Sequence, residues 1–332
     1  MEYSVYDHVF QDYQYFNRQK EASLTVYQIK NETGMGELLC YDVFPGAQII
    51  YNSLDMASCF QSVKTCPGFL QINHCREGCF EVELDGGMVG FIGEGDLAIN
   101  DPYRQRIADS RLPLGRYNGI TVLFELDYAQ SSLEKLFPNA GIDLFQLRDK
   151  FCSGSEFFLL CARPEIEHIF SELYHVDQRI RETYMTLKVI ELLLFLSLIK
   201  NEGRKCLNRF SRQVVDTTQS VCDYLLKNPY QKITVGEIAG KFNIAETNLR
   251  QCFKSIYGRP IGSFMRAECI RRSADLLRSH EELTVGQIAL MVGYENQSKF
   301  AAAFRAVMGQ TPLSYRHRML CRNDELEQKY DV

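Results

Sequence analysis

The sequence predicts an α+β protein in which an N-terminal antiparallel β barrel precedes a C-terminal all-α domain. Short segments of alternating apolar and polar residues, separated by turn residues, occupy residues 37 to about 128. Nearly identical hexapeptides, TVGEIA at 234–239 and TVGQIA at 284–289, lie further along the chain within stretches of helical periodicity. With 332 residues the chain is long enough to form two separate cores.

We predict four parts from these patterns. They are a β domain (1–163), a helical linker or dimerisation segment (164–212), an all-α domain (213–320) and a tail (321–332). The first residues lack the cationic and apolar segments of an export signal, and no apolar run reaches the roughly 18 residues of a membrane span. We therefore expect a cytoplasmic protein with no membrane partner.

The β domain is predicted from strand and hairpin patterns. In FEVELDGGMVGFI (80–92), apolar and acidic residues alternate before Asp85-Gly86, a dipeptide that favours a hairpin turn. FLQINH (69–74) and GITVLFEL (119–126) have the β-branched and aromatic composition of strands. Several short strands at this spacing are typical of a small antiparallel barrel or a jelly roll.

A local cluster of Cys66, His74, Cys75 and Cys79 raises the alternative of a thiol or metal site. The spacing C-x7-H-C-x3-C matches no established zinc pattern, and adjacent His74 and Cys75 on one strand would point to opposite faces. We therefore favour buried free thiols and expect no metal, no cofactor and no catalytic residue. The alternative left open is a redox or alkyl-accepting protein that is localised to DNA by a basic C-terminal domain.

Residues 164–200 predict two amphipathic helices. The run LLLFLSLI (192–199) is too apolar for a solvated helix, so something covers it. Packing against the β domain and pairing with a second copy of the chain are equally compatible with this pattern. The polar and basic residues 201–212 are typical of a linker.

The doubled hexapeptide predicts two copies of a helix-turn-helix unit. Thr234 with Glu237, and Thr284 with Gln287, have the spacing of capping boxes at the start of the first helices. In each second helix, two large apolar residues four positions apart predict one buried face: Leu249 and Phe253 in the first copy, Phe300 and Phe304 in the second. Asn296 is predicted to cap the second helix of the second copy, and Gly258 and Gly309 are predicted to end these helices.

The segment between the copies predicts a connecting helix. Residues 263–279 place apolar side chains at helical spacing over about 17 residues, hence roughly 25 Å. A rigid spacer of that length could hold two recognition helices about one DNA turn, roughly 34 Å, apart. A solenoid would need at least three repeats, so two copies favour nucleic-acid binding.

The charge distribution supports this interpretation. Residues 211–320 contain 15 Lys and Arg against 9 Asp and Glu, whereas the whole chain has a net charge of −5. Because the C-terminal third is basic in an otherwise acidic chain, we predict that this third binds a polyanion.

Residues 213–318 resemble the DNA-binding domain of the AraC/XylS family of bacterial transcription regulators. The resemblance rests on ITVGEIAGKFNIAETNLRQCFKSIYGRPIGSFM, IRRSADLLRS and LTVGQIALMVGYENQSKFAAAFRAVMGQTPLSYR. It implies a sequence-specific regulator, by family habit an activator, with a cupin-like N-terminal domain that senses a small-molecule effector. Double-stranded DNA, a second copy of the chain and RNA polymerase are the partners it implies. INHCREGCFEVEL and GEGDLAI are similar to a siderophore-responsive subgroup.

The predicted DNA contacts lie on the outward faces of the second helices. Arg, Gln and Thr can recognise guanine, adenine and the thymine methyl group, whereas isolated Lys and Arg more often bind phosphate. The resemblance implies these base-contacting positions: Thr247, Arg250, Gln251, Gln297, Ser298, Ala301 and Ala302. The phosphate-contacting candidates are Lys254, Lys299, Arg305 and Arg316. Because Ala301 and Ala302 offer only methyl groups, we expect the first helix to read most of the sequence.

Overall fold

The computed structural model describes residues 15–61, 67–104, 109–154, 158–160, 163–199, 208–231 and 233–319. The chain divides into two compact units. The N-terminal unit comprises residues 1–212 with 255–258, and the C-terminal unit comprises residues 213–254 and 259–332.

The N-terminal unit is built on an antiparallel sheet. Twelve strands are assigned within the described residues: β1 (Tyr15–Glu21), β2 (Leu24–Asn31), β3 (Gly34–Phe44), β4 (Ala47–Asp55), β5 (Ser58–Gln61), β6 (Phe69–Leu84), β7 (Met88–Gly93), β8 (Leu97–Asn100), β9 (Asp109–Arg111), β10 (Tyr117–Glu125), β11 (Phe158–Leu160) and β12 (Phe210–Ser211). The main path runs β1-β2-β3-β4-β10-β6-β7-β12. The prediction of an antiparallel β domain is confirmed.

Within the described residues the sheet does not close on itself, so the predicted barrel is not confirmed. The 16-residue strand β6 changes its pairing partner along its length. Its first part, Phe69–Gly78, pairs with β10, and its last part, Cys79–Leu84, pairs with β7. One strand therefore belongs to two layers, and among the described residues the end strands β1 and β12 do not pair with each other.

Two hydrophobic cores lie on opposite faces of the sheet. Ile49 and Ile50 are neighbours on β4, yet Ile49 packs in the core beneath the helices and Ile50 in the core between the layers. On β10, Ile120 and Leu123 divide in the same way. Because both faces are buried, segments such as 119–126 are almost continuously apolar rather than alternating.

Four helices cover one face of this sheet: α1 (Leu126–Leu136), α2 (Leu144–Phe151), α3 (Pro164–Leu173) and α4 (Arg181–Leu198). In α4, Leu192, Leu193 and Leu196 are buried in the N-terminal unit's own core. Leu194 and Leu198, which belong to the same run, remain 41% and 81% exposed. Packing within the unit therefore covers only one side of the apolar run.

The C-terminal unit is all-α, as predicted. Its helices are α5 (Arg212–Lys227, whose first residue belongs to the N-terminal unit), α6 (Val235–Lys241), α7 (Glu246–Tyr257, whose last three residues belong to the N-terminal unit), α8 (Ile261–Ser279), α9 (Val285–Met291) and α10 (Gln297–Met308), followed by helical residues 312–319. The connecting helix α8 has 19 residues, hence a length of about 28 Å. Its Ile270, Ala274 and Leu277 pack in one core with Phe300 and Phe304.

Candidate nucleic-acid interface

The first helix-turn-helix motif consists of α6 and α7. The Thr234 Oγ1 accepts a hydrogen bond from the backbone N–H of Glu237, and the Glu237 carboxylate accepts one from the backbone N–H of Thr234, at 3.2 and 2.7 Å. Bonding to the backbone and side chain of Thr234 lowers the pKa of Glu237. The predicted capping box is confirmed. In the turn, Asn243 has φ 51°, a left-handed conformation that asparagine tolerates better than most residues.

Helix α7 buries one face and exposes the other. Leu249, Cys252, Phe253 and Ile256 are almost fully buried. The predicted DNA-contacting side chains of this helix are all exposed: Thr247, Arg250, Gln251 and Lys254. The helix therefore offers an accessible polar surface backed by a packed core, which a recognition helix requires.

One contact on this surface was absent from our sequence-based prediction. The Arg250 guanidinium donates from Nε and Nη2 to the same carboxylate oxygen, Oε1 of Glu246, at 2.7 and 2.5 Å. The side chains remain 54% and 45% exposed. The spacing i, i+4 was the available signal, since it brings oppositely charged side chains together on a helix.

The second motif, α9 and α10, has the same framework. Thr284 and Gln287 form the second predicted capping box. The left-handed Gly293, at φ 86°, lies in the turn. Asn296 then caps α10, as predicted, by accepting bonds from the backbone N–H groups of Ser298 and Lys299. These local bonds set the start of the helix that carries the second set of outward side chains.

The outward face of α10 is accessible and has little charge at the positions predicted to contact bases. Gln297, Ser298 and Ala302 are exposed, and Ala301 is half-buried. The phosphate candidates Lys299 and Arg305 are also exposed. This helix can therefore approach a duplex closely, but it offers fewer side chains for recognising bases than α7 does.

Arg316 occupies a different environment from the other phosphate candidates. It is half-buried, and its Nε and Nη2 atoms are shielded from solvent without a hydrogen-bond partner among the described residues. A phosphate could therefore reach at most its Nη1 atom unless the side chain moves. Its positive charge contributes to lowering the pKa of Glu282, after the hydrogen bonds that Glu282 accepts.

The cysteine cluster does not form a common site among the described residues. His74 stacks on Phe170, with ring centroids 4.2 Å apart, and its Nε2 lies 3.1 Å from Glu167 Oε1. Burial lowers the pKa of His74 despite this carboxylate, so the neutral ring is favoured. Cys75 packs instead in the core between the layers. The predicted divergence of these neighbours is confirmed.

Cys75 and Cys79 are both buried, as expected. Burial raises the pKa of Cys75, which keeps this thiol protonated and poorly reactive. Cys66 lies outside the described residues. In the part of the chain that the structure describes, no group of three or more His, Cys, Asp and Glu side chains could hold a metal ion. Nor is any helix there long and apolar enough to span a membrane.

Residues 238–318 match a family model described as a helix-turn-helix domain. The putative HTH-type transcriptional regulator YkgA of Escherichia coli (strain K12) is 27% identical over 111 residues, which make up 33% of this chain and 45% of that protein. The HTH-type transcriptional activator RhaR of Enterobacter sp. (strain 638) is 34% identical over 74 residues, 22% of this chain and 26% of that protein. The structure of unsaturated fatty acid bound ToxT from Vibrio cholerae is 14% identical, with a TM-score of 0.33, and covers 83% of this chain and 96% of that chain.

The chain thus spans less than half the length of the curated relatives YkgA and RhaR. Within the matched residues, it carries a helix-turn-helix domain similar to those of bacterial transcription regulators. The predicted helix-turn-helix class is confirmed by this match and by the two capped motifs.

Proposed function

We propose that the protein is a transcription regulator of the AraC/XylS type that binds specific sites on double-stranded DNA. The observation that carries this proposal is the repetition of one capped, well-packed motif whose second helix has an exposed outer face. A recognition helix must present its outward side chains to base edges without losing its own packing. The predominance of basic residues in 211–320 adds sequence-independent attraction to the phosphates.

In this proposal the two motifs have unequal roles. Thr247, Arg250 and Gln251 recognise bases, while Lys254 binds phosphate. In the second motif, Gln297, Ser298, Ala301 and Ala302 approach the bases, and Lys299 and Arg305 contribute phosphate contacts. Arg316 would have to turn outward to bind phosphate, because two of its nitrogen atoms are shielded. The first motif therefore contributes most of the sequence preference.

The N-terminal unit would sense a small-molecule effector in the cytoplasm and change DNA affinity or contact with RNA polymerase. Activation is the favoured outcome, since the relative RhaR is named as a transcriptional activator. A cupin-like sensor domain and membership of a siderophore-responsive subgroup remain our proposals from sequence resemblance. A second copy of the chain could pair through the exposed Leu187, Leu194 and Leu198 of α4, which are 54%, 41% and 81% exposed.

Selection from a pool of randomised duplexes by the full chain tests DNA recognition directly. We expect recovery of a preferred sequence spanning two successive major grooves, with binding that weakens steeply as salt rises. An R250A variant should relax the preference at one base pair, whereas K254A should weaken binding to all sequences alike. Recovery of random sequences by the unmodified chain would contradict the proposal.

The thiol- or metal-based alternative is disfavoured by the burial of Cys75 and Cys79. Thiol labelling of the native protein, with metal analysis of the same sample, separates the two functions. Slow labelling that accelerates only on unfolding would agree with a regulator that makes no use of these thiols. Rapid labelling of Cys75 or Cys79, or stoichiometric metal, would support the alternative.

A further inference from the structure

We infer that Glu246 is a specificity-determining residue, which orients the Arg250 guanidinium toward a guanine. This inference rests on the proposed DNA-binding function and deepens it. Glu246 occupies the first position of α7, and the N-terminal residues of a recognition helix lie nearest the base edges. It is an acidic residue on the face assigned to a polyanion, where phosphate attraction alone would favour a neutral or basic side chain.

The contact leaves the recognition edge of Arg250 available. A guanidinium carries five N–H donors in a rigid plane. Glu246 accepts hydrogen bonds from the Nε–H and one Nη2–H of Arg250, which lie along one side of that plane. The two donors at the far end, one on Nη1 and one on Nη2, stay parallel and can bond guanine N7 and O6 together. The carboxylate therefore restrains the arginine without occupying the edge that reads the base.

The carboxylate also lies close to the backbone of α6. A methyl group built at Gly236, near the start of α6, would lie 3.0 Å from Glu246 Oε2. The carboxylate of Glu246 thus lies between the α6 backbone and Arg250. Restricting a long side chain before binding lowers the entropy that is lost when it engages a base.

The second motif provides an internal comparison. Its equivalents of Glu246 and Arg250 are Gln297 and Ala301, which cannot form an ion pair. A salt bridge that merely supported a recognition helix would contribute only about 0.3–0.5 kcal/mol to stability and nothing to base preference. An orienting contact would affect the choice of base at the position that Arg250 contacts. The two roles therefore predict different measurements.

The experiment uses the full chain and the duplex selected from a randomised pool, together with duplexes that replace the preferred guanine by each other base. Affinities of the unmodified chain, E246A, E246Q, R250A and E246A/R250A are compared at several salt concentrations. D275A, which removes the acidic member of the exposed Asp275–Arg278 pair on α8, is the matched control. Thermal unfolding of each variant establishes that the fold is intact, and E246Q retains the shape of the side chain.

We expect E246A to reduce the preference for guanine about tenfold, while it binds unrelated duplex more tightly because a negative charge is removed. E246Q should lie between E246A and the unmodified chain. In the R250A background, the E246A change should have no further effect on guanine preference. D275A should leave that preference unaltered in the unmodified background.

Guanine preference within twofold of the unmodified chain in E246A, together with its loss in R250A, would overturn the inference and leave a simple surface ion pair. Unchanged preference in R250A would overturn it as well, because Arg250 would then not read that base. Failure of the unmodified chain to select any sequence would instead contradict the proposed function itself.

Discussion

The two helix-turn-helix motifs have closely similar buried and capping residues but different exposed residues. Leu249 and Phe253 in α7 are buried like Phe300 and Phe304 in α10, and both motifs begin with a threonine capping box. Gly258 and Gly309 follow the second helices with the same φ of 72°. This repetition indicates that packing and capping constrain the framework in both motifs.

The exposed positions differ in chemistry. Where α7 presents an arginine and a glutamine at 250 and 251, α10 presents alanines at 301 and 302. Such positions contribute little to folding, because surface side chains away from special features have small effects on stability. The comparison therefore separates residues that make the motif fold from residues that we propose contact DNA.

The largest expected effect comes from truncating the equivalent buried phenylalanines of the two motifs. Phe253→Ala and Phe304→Ala should each reduce the free energy of unfolding by about 3–5 kcal/mol, since both side chains are fully buried. Hydrogen exchange of the amides in α7 and α10 of the full chain measures the loss in each motif. A loss below about 1 kcal/mol in only one motif would show that the cores are not equivalent.

The second-largest expected effect is on DNA affinity, and it distinguishes the exposed faces of α7 and α10. Arg250→Ala should weaken binding to the selected duplex by about 1–3 kcal/mol, through loss of a bidentate contact. Ala302→Ser, at the position equivalent to Gln251, should change the binding free energy by less than about 0.5 kcal/mol, because it adds only one hydroxyl group. Fluorescence anisotropy titrations at one salt concentration measure both. A larger change in binding free energy for Ala302→Ser than for Arg250→Ala would indicate that α10, rather than α7, contributes most of the sequence preference.

The capping boxes allow a comparison at different pH. At neutral pH, Thr234→Ala and Thr284→Ala should each destabilise their motif by about 1 kcal/mol. The pKa of Glu237 is lowered in the folded state, so its contribution is present above its ordinary value of 4.5 and is lost as the pH falls through the lowered value. Gln287 does not titrate.

The cost of Thr234→Ala should therefore shrink in acid, whereas that of Thr284→Ala should stay constant relative to the unmodified protein. Hydrogen exchange of the α6 and α9 amides between pH 7 and pH 3 measures both costs. If the destabilisation caused by the two substitutions changed with pH in the same way, the charge of Glu237 would contribute nothing to the stability of its motif.

The smallest effect concerns the glycines at the start of each motif. Gly286→Ala should stabilise α9 by about 0.5–1 kcal/mol, because alanine is the better helix former and the new methyl would lie 3.5 Å from Gln297 Oε1, an ordinary contact. Gly236→Ala should gain less, since its methyl would lie 3.0 Å from Glu246 Oε2. Chemical denaturation of both variants compares them, and an equal gain would show that Glu246 moves freely.

Local features of the C-terminal unit could be predicted because their causes lie within four residues. The capping boxes, the Asn296 cap and the pairs Leu249–Phe253 and Phe300–Phe304 depend on i, i+3 and i, i+4 neighbours. The Glu246–Arg250 contact also has this spacing, but the sequence does not indicate which charged neighbours of a helix will meet. His74 and Cys75 diverge because neighbouring side chains on a strand point to opposite faces.

Long-range pairing could not be predicted in this way. Tyr117 pairs with Gly78 and Leu54, which are distant in sequence, and β6 pairs with β10 along its first part and with β7 along its last part. The apolar run of α4 is divided into buried and exposed sides only by the sheet on which it packs. By itself, the sequence determined the helix boundaries, the caps and the buried face of each motif, because these arise from short-range steric and hydrogen-bonding preferences. Only the tertiary structure decided the strand partners, the closure of the sheet and the covering of α4. These features depend on which apolar surfaces, from segments far apart in the sequence, are buried against each other.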